Sequence, residues 1–275
     1  MSDACNILPV AEHAVALNAA HEAGEIAMSY FGGEFARWDK GGDNPVTEAD
    51  IAIDNMLRKA LGDAFPDHGW LSEETEDNTE RLTQHRTWIV DPIDGTRAFM
   101  RGEPHFTICI ALVEQARPIS AIVFNPASGE LYEAVSGGGA RLNGQPITPS
   151  SQAQIEGARM LGTASFYHSK RWAVPWPDIH IEKRNSIAYR IALVAAGRFD
   201  GCLGLSSVND WDLAAADLIM QEAGGRISRR DGAEFLYNQR SVRHAGFVAS
   251  GHALHPALIG QLATWRPRAS NLASS

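Results

Sequence analysis

The chain has 275 residues, 44% hydrophobic and 21% charged, with 25 Gly, 13 Pro and 3 Cys. This is a globular composition with room for one large domain or two modest ones, and a chain of this length buries roughly 70–75% of its unfolded surface without disulfide or metal staples. The 33 acids outnumber the 24 Lys and Arg for a formal charge of −9; with no basic run to displace counterions from a phosphate backbone, the chain is not expected to bind nucleic acid in general.

In chain order, MSDACNILPV lacks a basic segment followed by a long apolar one, which predicts no secretory leader and a cytoplasmic location. Apolar residues recur at helical spacing from Val10 to Phe31, and Gly32-Gly33 supplies a stop. After the loop KGGDNPV, Thr47 and Asp50 have the spacing of an N-cap and its returning acid, opening a helix that runs to about Asp63. Strands are expected at Gly69–Leu71, Thr87–Val90, Phe106–Val113, Ile119–Phe124 and Leu131–Ala134, with a turn at Leu142-Asn143-Gly144-Gln145. The second half predicts a helix over Ser186–Ala196, a strand over Phe199–Leu203 and a helix over Asp210–Ala223 stopped by Gly224-Gly225. Strands at Arg226–Ser228 and Phe247–Ala249, a helix from about His252 to Trp265 and a loose tail, RPRASNLASS, complete it. Interspersed helices and strands imply a layered α/β or α+β fold. A soft boundary near Pro146–Ser151 separates an N-terminal metal-binding half, 1–146, from a C-terminal half, 147–275, that completes the substrate site in one compact unit. An apolar run such as Ile108–Val113 is far too short to span a bilayer, and Cys5, Cys109 and Cys202 are spaced for neither a disulfide framework nor zinc.

The chemistry lies in carboxylates at the ends of these elements. Asp91-Pro92-Ile93-Asp94-Gly95-Thr96 follows an apolar strand; Pro92 fixes φ, Gly95 permits a reversal, and the two acids can converge beyond the strand end. Glu73 and Glu74 follow another strand-like run, and Asp212 sits in the first turn of a helix, where an acid suits the dipole. Taken singly, each reads as a cap or turn residue. With Asp50 of the capping box, four such sites in one chain point instead to oxygen ligands for a hard cation. No HExxH, P-loop or GxSxG motif offers another chemistry, and Gly137-Gly138-Gly139 reads as a turn.

The strings NPVTEAD, SEE, WIVDPIDGT and WDLAAADLIMQEAGG, in this order, resemble the inositol monophosphatase superfamily of magnesium-dependent, lithium-sensitive phosphomonoesterases. The resemblance spans about residues 10–250 and implies an α/β/α/β/α sandwich, a homodimer and a small phosphorylated substrate. It implies two to three Mg²⁺ ions: Glu73, Asp91 and the Ile93 carbonyl at the first, Asp91, Asp94 and Asp212 at the second, and Asp50 with Glu73 around a weaker third. It also makes Thr96, with Asp50, the group that activates the attacking water, and it puts Asp94, Gly95, Thr96, Ser186 and Asp212 against substrate. Lys40 stands about where the family has a loop lysine. The grouping is physically sound: two carboxylates about 5 Å apart repel by roughly 3 kcal/mol at an effective dielectric near 20, so five gathered acids require cations.

Substrate identity stays open at this level. Gly204 or Leu205 falls where inositol-specific members carry a glutamate, whereas RAFMRGEPHFTICIAL is similar to the 3′(2′),5′-bisphosphate nucleotidase branch. Lys183 and Arg184, with Arg190 or Arg198, are either a solvated basic face or partners of a second phosphate. Inositol monophosphate and a bisphosphate nucleotide are the expected esters. Histidinol phosphate, or a mainly binding role, is the alternative.

Overall fold

The computed structural model describes residues 9–33, 35–39 and 45–266; Cys5, Lys40 and the tail from 267 onward lie outside them. Seven helices occur among the described residues: α1 (Val10–Tyr30), α2 (Glu48–Ala64), α3 (Thr96–Phe99), α4 (Ala164–Tyr167), α5 (Ile187–Ala195), α6 (Asp210–Glu222) and α7 (His255–Leu262). None is long and apolar enough to cross a membrane.

A short antiparallel pair, β1 (Arg37–Asp39) and β2 (Pro45–Thr47), leads into α2. A seven-stranded sheet follows in sequence order: β3 (Gly69–Ser72), β4 (Arg86–Asp94), β5 (Thr107–Glu114), β6 (Arg117–Asn125), β7 (Glu130–Val135), β8 (Ala140–Leu142) and β9 (Gln145–Pro146). Only β3 and β4 run parallel. Asn143 and Gly144, both at positive φ, make the expected turn between β8 and β9.

Alternation on the central strands explains the layering. Trp88, Val90, Ile108, Ile110, Leu112 and Ile122 pack with the alanine face of α1 and with Ile53, Leu57 and Leu61 of α2. Their neighbours Ile89, Cys109, Ala111, Val113, Ala121 and Val123 pack instead with α5 and α6. Successive side chains on a strand point to opposite faces, so a strand covered on both sides reads as a continuous apolar run, as Ile108–Val113 does.

The second sheet has five strands in the order β11 (His180–Glu182), β10 (Arg159–Leu161), β12 (Gly201–Gly204), β16 (Phe247–Gly251) and β14 (Gly225–Ser228). Leu161, Cys202, Ile227, Phe247 and Ala249 face α5 and α6, while Met160, Leu203 and Val248 face α7 through Leu254, Leu258 and Leu262. β13 (Val208–Asn209) and β15 (Arg243–His244) pair beside it. The layers are therefore helix, sheet, helix, sheet, helix, as expected.

Two expected boundaries move. The strand at Thr87 does not stop at Val90 but continues to Asp94. The last helix starts at His255 rather than near His252, because Pro256 fits only in a first turn, where its missing N–H has no partner to lose.

Candidate metal centre

Asp91 and Asp94 are three residues apart and would face opposite sides of a regular strand. They do not, because the register between β4 and β5 shifts: Asp91 pairs with Cys109 and Asp94 with Thr107, so three steps on β4 match two on β5. This one-residue bulge turns both carboxylates to one side, and Pro92, which has no N–H for the ladder, is tolerated there. Gly95 ends the strand at φ +101, where a Cβ would meet the His105 carbonyl oxygen at 2.8 Å, so only glycine fits.

Three other elements deliver acids to the same place. Glu73 extends parallel strand β3, its N–H bonding the Val90 carbonyl at 3.3 Å. Asp50, third residue of α2, accepts from the Thr47 N–H (2.8 Å) and hydroxyl (2.5 Å) through Oδ2. Asp212, third residue of α6, accepts from the Asn209 N–H through Oδ2 at 2.6 Å. Asp94 Oδ2 accepts from the Ser186 hydroxyl and the Ala188 N–H, both at 2.6 Å. Asp50 and Asp212 are thus anchored through Oδ2 by residues three positions back and Asp94 through Oδ2 by the start of α5, while Asp50 Oδ1 lies 3.4 Å from the Thr96 hydroxyl.

One ligand oxygen each from Asp91, Asp94 and Asp212 lies within 4.8 Å of the others. Both Asp91 carboxylate oxygens are buried without a hydrogen-bond partner among the described residues. An isolated carboxylate in that condition is costly, and a cation is the ordinary remedy. The electrostatics agree. Burial, then Glu73, Asp94, Asp212 and Asp50, push the Asp91 carboxyl well above the usual range. Burial and then Asp94 raise Asp212 strongly. Asp94 is raised by burial against the opposing Ser186 and Ala188 bonds, and burial carries Asp50 to about 6. Burial also pushes up the Cys109 thiol beneath them, with Asp94 next in effect. All-oxygen donors of this charge suit a hard divalent ion.

A cavity of about 240 Å³ opens here, lined by Glu73, Asp91, Ile93, Asp94, Thr96 and Asp212 among others, including Gly95. The Thr96 hydroxyl lies 3.4 Å from Asp50 Oδ1 and 3.1 Å from the Ile93 carbonyl. Ser186 does not reach this cavity: it is fully buried, caps α5 through the Tyr189 N–H, and holds Asp94. Asn185 and Ile187 line the space on either side of it. Thr107, 3.0 Å from the Ser186 hydroxyl, went unnoticed in the sequence because nothing local marks it.

Lys183 and Arg184 follow β11 and line a larger neighbouring cavity of about 700 Å³ that shares Asn185 and Ile187 with the first. Gly204 and Leu205 line it too, and neither offers a carboxylate. Arg198 instead pairs with Glu130.

The profile of the inositol monophosphatase family matches residues 9–264. A histidinol-phosphatase of Chlorobaculum parvum is 35% identical over 260 residues, covering 90% of this chain and 95% of that protein. An inositol-1-monophosphatase of Rhizobium meliloti is 38% identical over 202 residues, 70% of this chain and 75% of that one. Among solved structures, the IMPase of Thermotoga maritima superposes with a TM-score of 0.77 at 30% identity, covering 90% of this chain and 95% of its own.

Proposed function

The chain belongs to the inositol monophosphatase family and is a metal-dependent phosphatase of small phosphorylated substrates, and from that premise we propose that its metal is Mg²⁺, in two to three ions, and that water attacks phosphorus directly without a phosphoenzyme. Glu73, Asp91 and the Ile93 carbonyl would hold one ion, Asp91, Asp94 and Asp212 a second, and Asp50 with Glu73 a weaker third. The observation that carries this reading is the Asp91 carboxylate, buried with no partner on either oxygen among the described residues, beside two other acids. Bound Mg²⁺ supplies charge neutralisation and Lewis acidity at the phosphoryl oxygens.

The remaining work falls to side chains. Thr96 sits between the cavity and Asp50, so its hydroxyl can accept from an attacking water while donating to Asp50 Oδ1. A carboxyl poised near 6 is ionised enough at neutral pH to serve as that acceptor. Gly95, Asp94 and Asp212 bound the space for the ester, and Lys183 and Arg184 await its far end. A cytoplasmic homodimer with lithium sensitivity completes the reading carried over from the family, and residues 1–146 and 147–275 are its metal-binding and substrate-completing halves.

The test is phosphate release with Mg²⁺ against EDTA, for inositol 1-phosphate, adenosine 3′,5′-bisphosphate, histidinol phosphate and fructose 1,6-bisphosphate. Asp94→Asn should lower kcat/KM about a thousandfold, ~4 kcal/mol of barrier, with the circular dichroism spectrum retained. Full activity in that variant removes the assignment.

A further inference from the structure

The buried stripe of α2 runs Asp50, Ile53, Asp54, Leu57 and Leu61, three and four residues apart, and two of its members are acids. Asp50 is held by Thr47 and approached by Thr96. Asp54 stands one turn further on and is only 5% exposed. A carboxylate on an apolar stripe needs partners, and Asp54 finds them at the end of β3. Its Oδ1 accepts from the Ser72 hydroxyl, and its Oδ2 accepts from the Thr75 hydroxyl at 2.6 Å.

Those two residues bracket Glu73 and Glu74. Each hydroxyl is also tied back into the turn: Ser72 Oγ accepts from the Glu74 N–H at 3.3 Å, and Thr75 Oγ1 from the Trp70 indole N–H at 3.4 Å. β3 itself stops at Ser72, so past the Glu73 N–H bond to Val90 the chain leaves the ladder, and the Asp54 bonds direct where it goes. Hydroxyl bonds to a buried carboxylate are charge-assisted and strong. One helix thus carries both an acid of the candidate metal centre, Asp50, and, a single turn away, the clasp on the turn that carries another, Glu73.

We infer that Asp54 is a positioning residue for metal binding: by clasping Ser72 and Thr75 it fixes the separation of Glu73 from Asp50 and so raises the affinity for the ions these acids hold. The inference rests on the phosphatase reading above and adds to that site a residue outside its ligand set. Like charges repel, so without the clasp Glu73 would relax away from the other acids, and an arriving cation would first have to draw it back. Preorganisation removes that cost.

The experiment is calorimetric titration of Mg²⁺ into the metal-free full chain, with phosphate release from the best of the four esters above followed across Mg²⁺ concentration. Asp54→Ala should weaken Mg²⁺ binding about tenfold and raise the Mg²⁺ needed for half-maximal release by the same factor, with kcat at saturating Mg²⁺ kept within about twofold. Asp54→Asn, whose remaining carbonyl oxygen still accepts from one hydroxyl, should lose about threefold. In a Glu73→Gln background Asp54→Ala should add less than about twofold, because its effect runs through Glu73. Unchanged Mg²⁺ affinity in Asp54→Ala overturns the inference. So does a full tenfold loss in the Glu73→Gln background, about 1.4 kcal/mol, which would make Asp54 a support of the fold alone. If Asp54→Ala loses the native circular dichroism spectrum, Asp54→Asn decides by the same two criteria. If no ester releases phosphate, the phosphatase reading fails by itself and calorimetry still decides the placement: weaker Mg²⁺ binding in Asp54→Ala supports it, and equal or absent binding overturns it.

Discussion

Two cavities meet across Asn185 and Ile187 and are opposite in charge. The smaller gathers acids from the ends of regular elements, each set by a short-range device: the bulge of β4, the first turns of α2 and α6, the last step of β3. The larger takes its cations from places with no shared device: Lys183 and Arg184 after β11, Arg190 inside α5, Arg171 and Arg230 in connections. The first is rigid because caps and ladders hold it. The second is held by side chains instead, with Arg171, Arg184 and Arg190 each donating to a backbone carbonyl.

That contrast can be broken from either side. On the acid side, Gly95→Ala breaks the frame without removing a carboxylate. A side chain at φ +101 costs roughly 1–3 kcal/mol, and the approach of the His105 carbonyl adds to it. Displacing Asp94 and Thr96 should cut kcat by about a hundredfold, ~3 kcal/mol, with KM little altered; retained kcat would show that the acid cavity tolerates a loose frame. The double change Lys183→Ala with Arg184→Ala acts on the other side. It should raise KM for a bisphosphorylated ester about tenfold, ~1.4 kcal/mol, and for a simple monophosphate much less. Equal effects on both esters would make these two residues a solvated face.

A last expected effect is on stability, read as a modest shift in melting midpoint. Asp50, Asp91, Asp94 and Asp212 all have folded pKa values raised above the ordinary 3.8. Between that value and the raised one the native state binds more protons than the unfolded state, so metal-free stability falls as pH rises through the window, from about 4 to 6 for Asp50. Melting in EDTA should therefore drop in midpoint from pH 5 to pH 7.5. Mg²⁺ at a hundred times its Kd should restore about 2.7 kcal/mol, roughly 5 °C for a chain of this size. A midpoint indifferent to both pH and Mg²⁺ would mean the acids do not repel one another.

Much of the frame is legible in the residues. The Thr47–Asp50 cap, the glycine stop after α6 and the two-sided apolar run of β5 each depend on neighbours a few positions away. The five acids were likewise visible as element ends. The three-residue strands β10 and β11 were not, because they are too short to carry a period. The bulge was not either: Pro92 and Gly95 suggest an irregularity, but only pairing with β5 shows that the strand runs through it. Ser186 was expected against substrate; its burial turns it toward Asp94 instead.

The amino-acid order alone fixed the caps, the periodicities and the kinds of oxygen donor on offer, because hydrogen bonds across three residues and the twofold alternation of a strand are properties of adjacent sequence. Folding in three dimensions decided which donors meet. Repulsion between carboxylates and the cost of a buried unpaired charge depend on separation through space, and Asp50, Asp91 and Asp212 become neighbours only when both faces of the first sheet are covered.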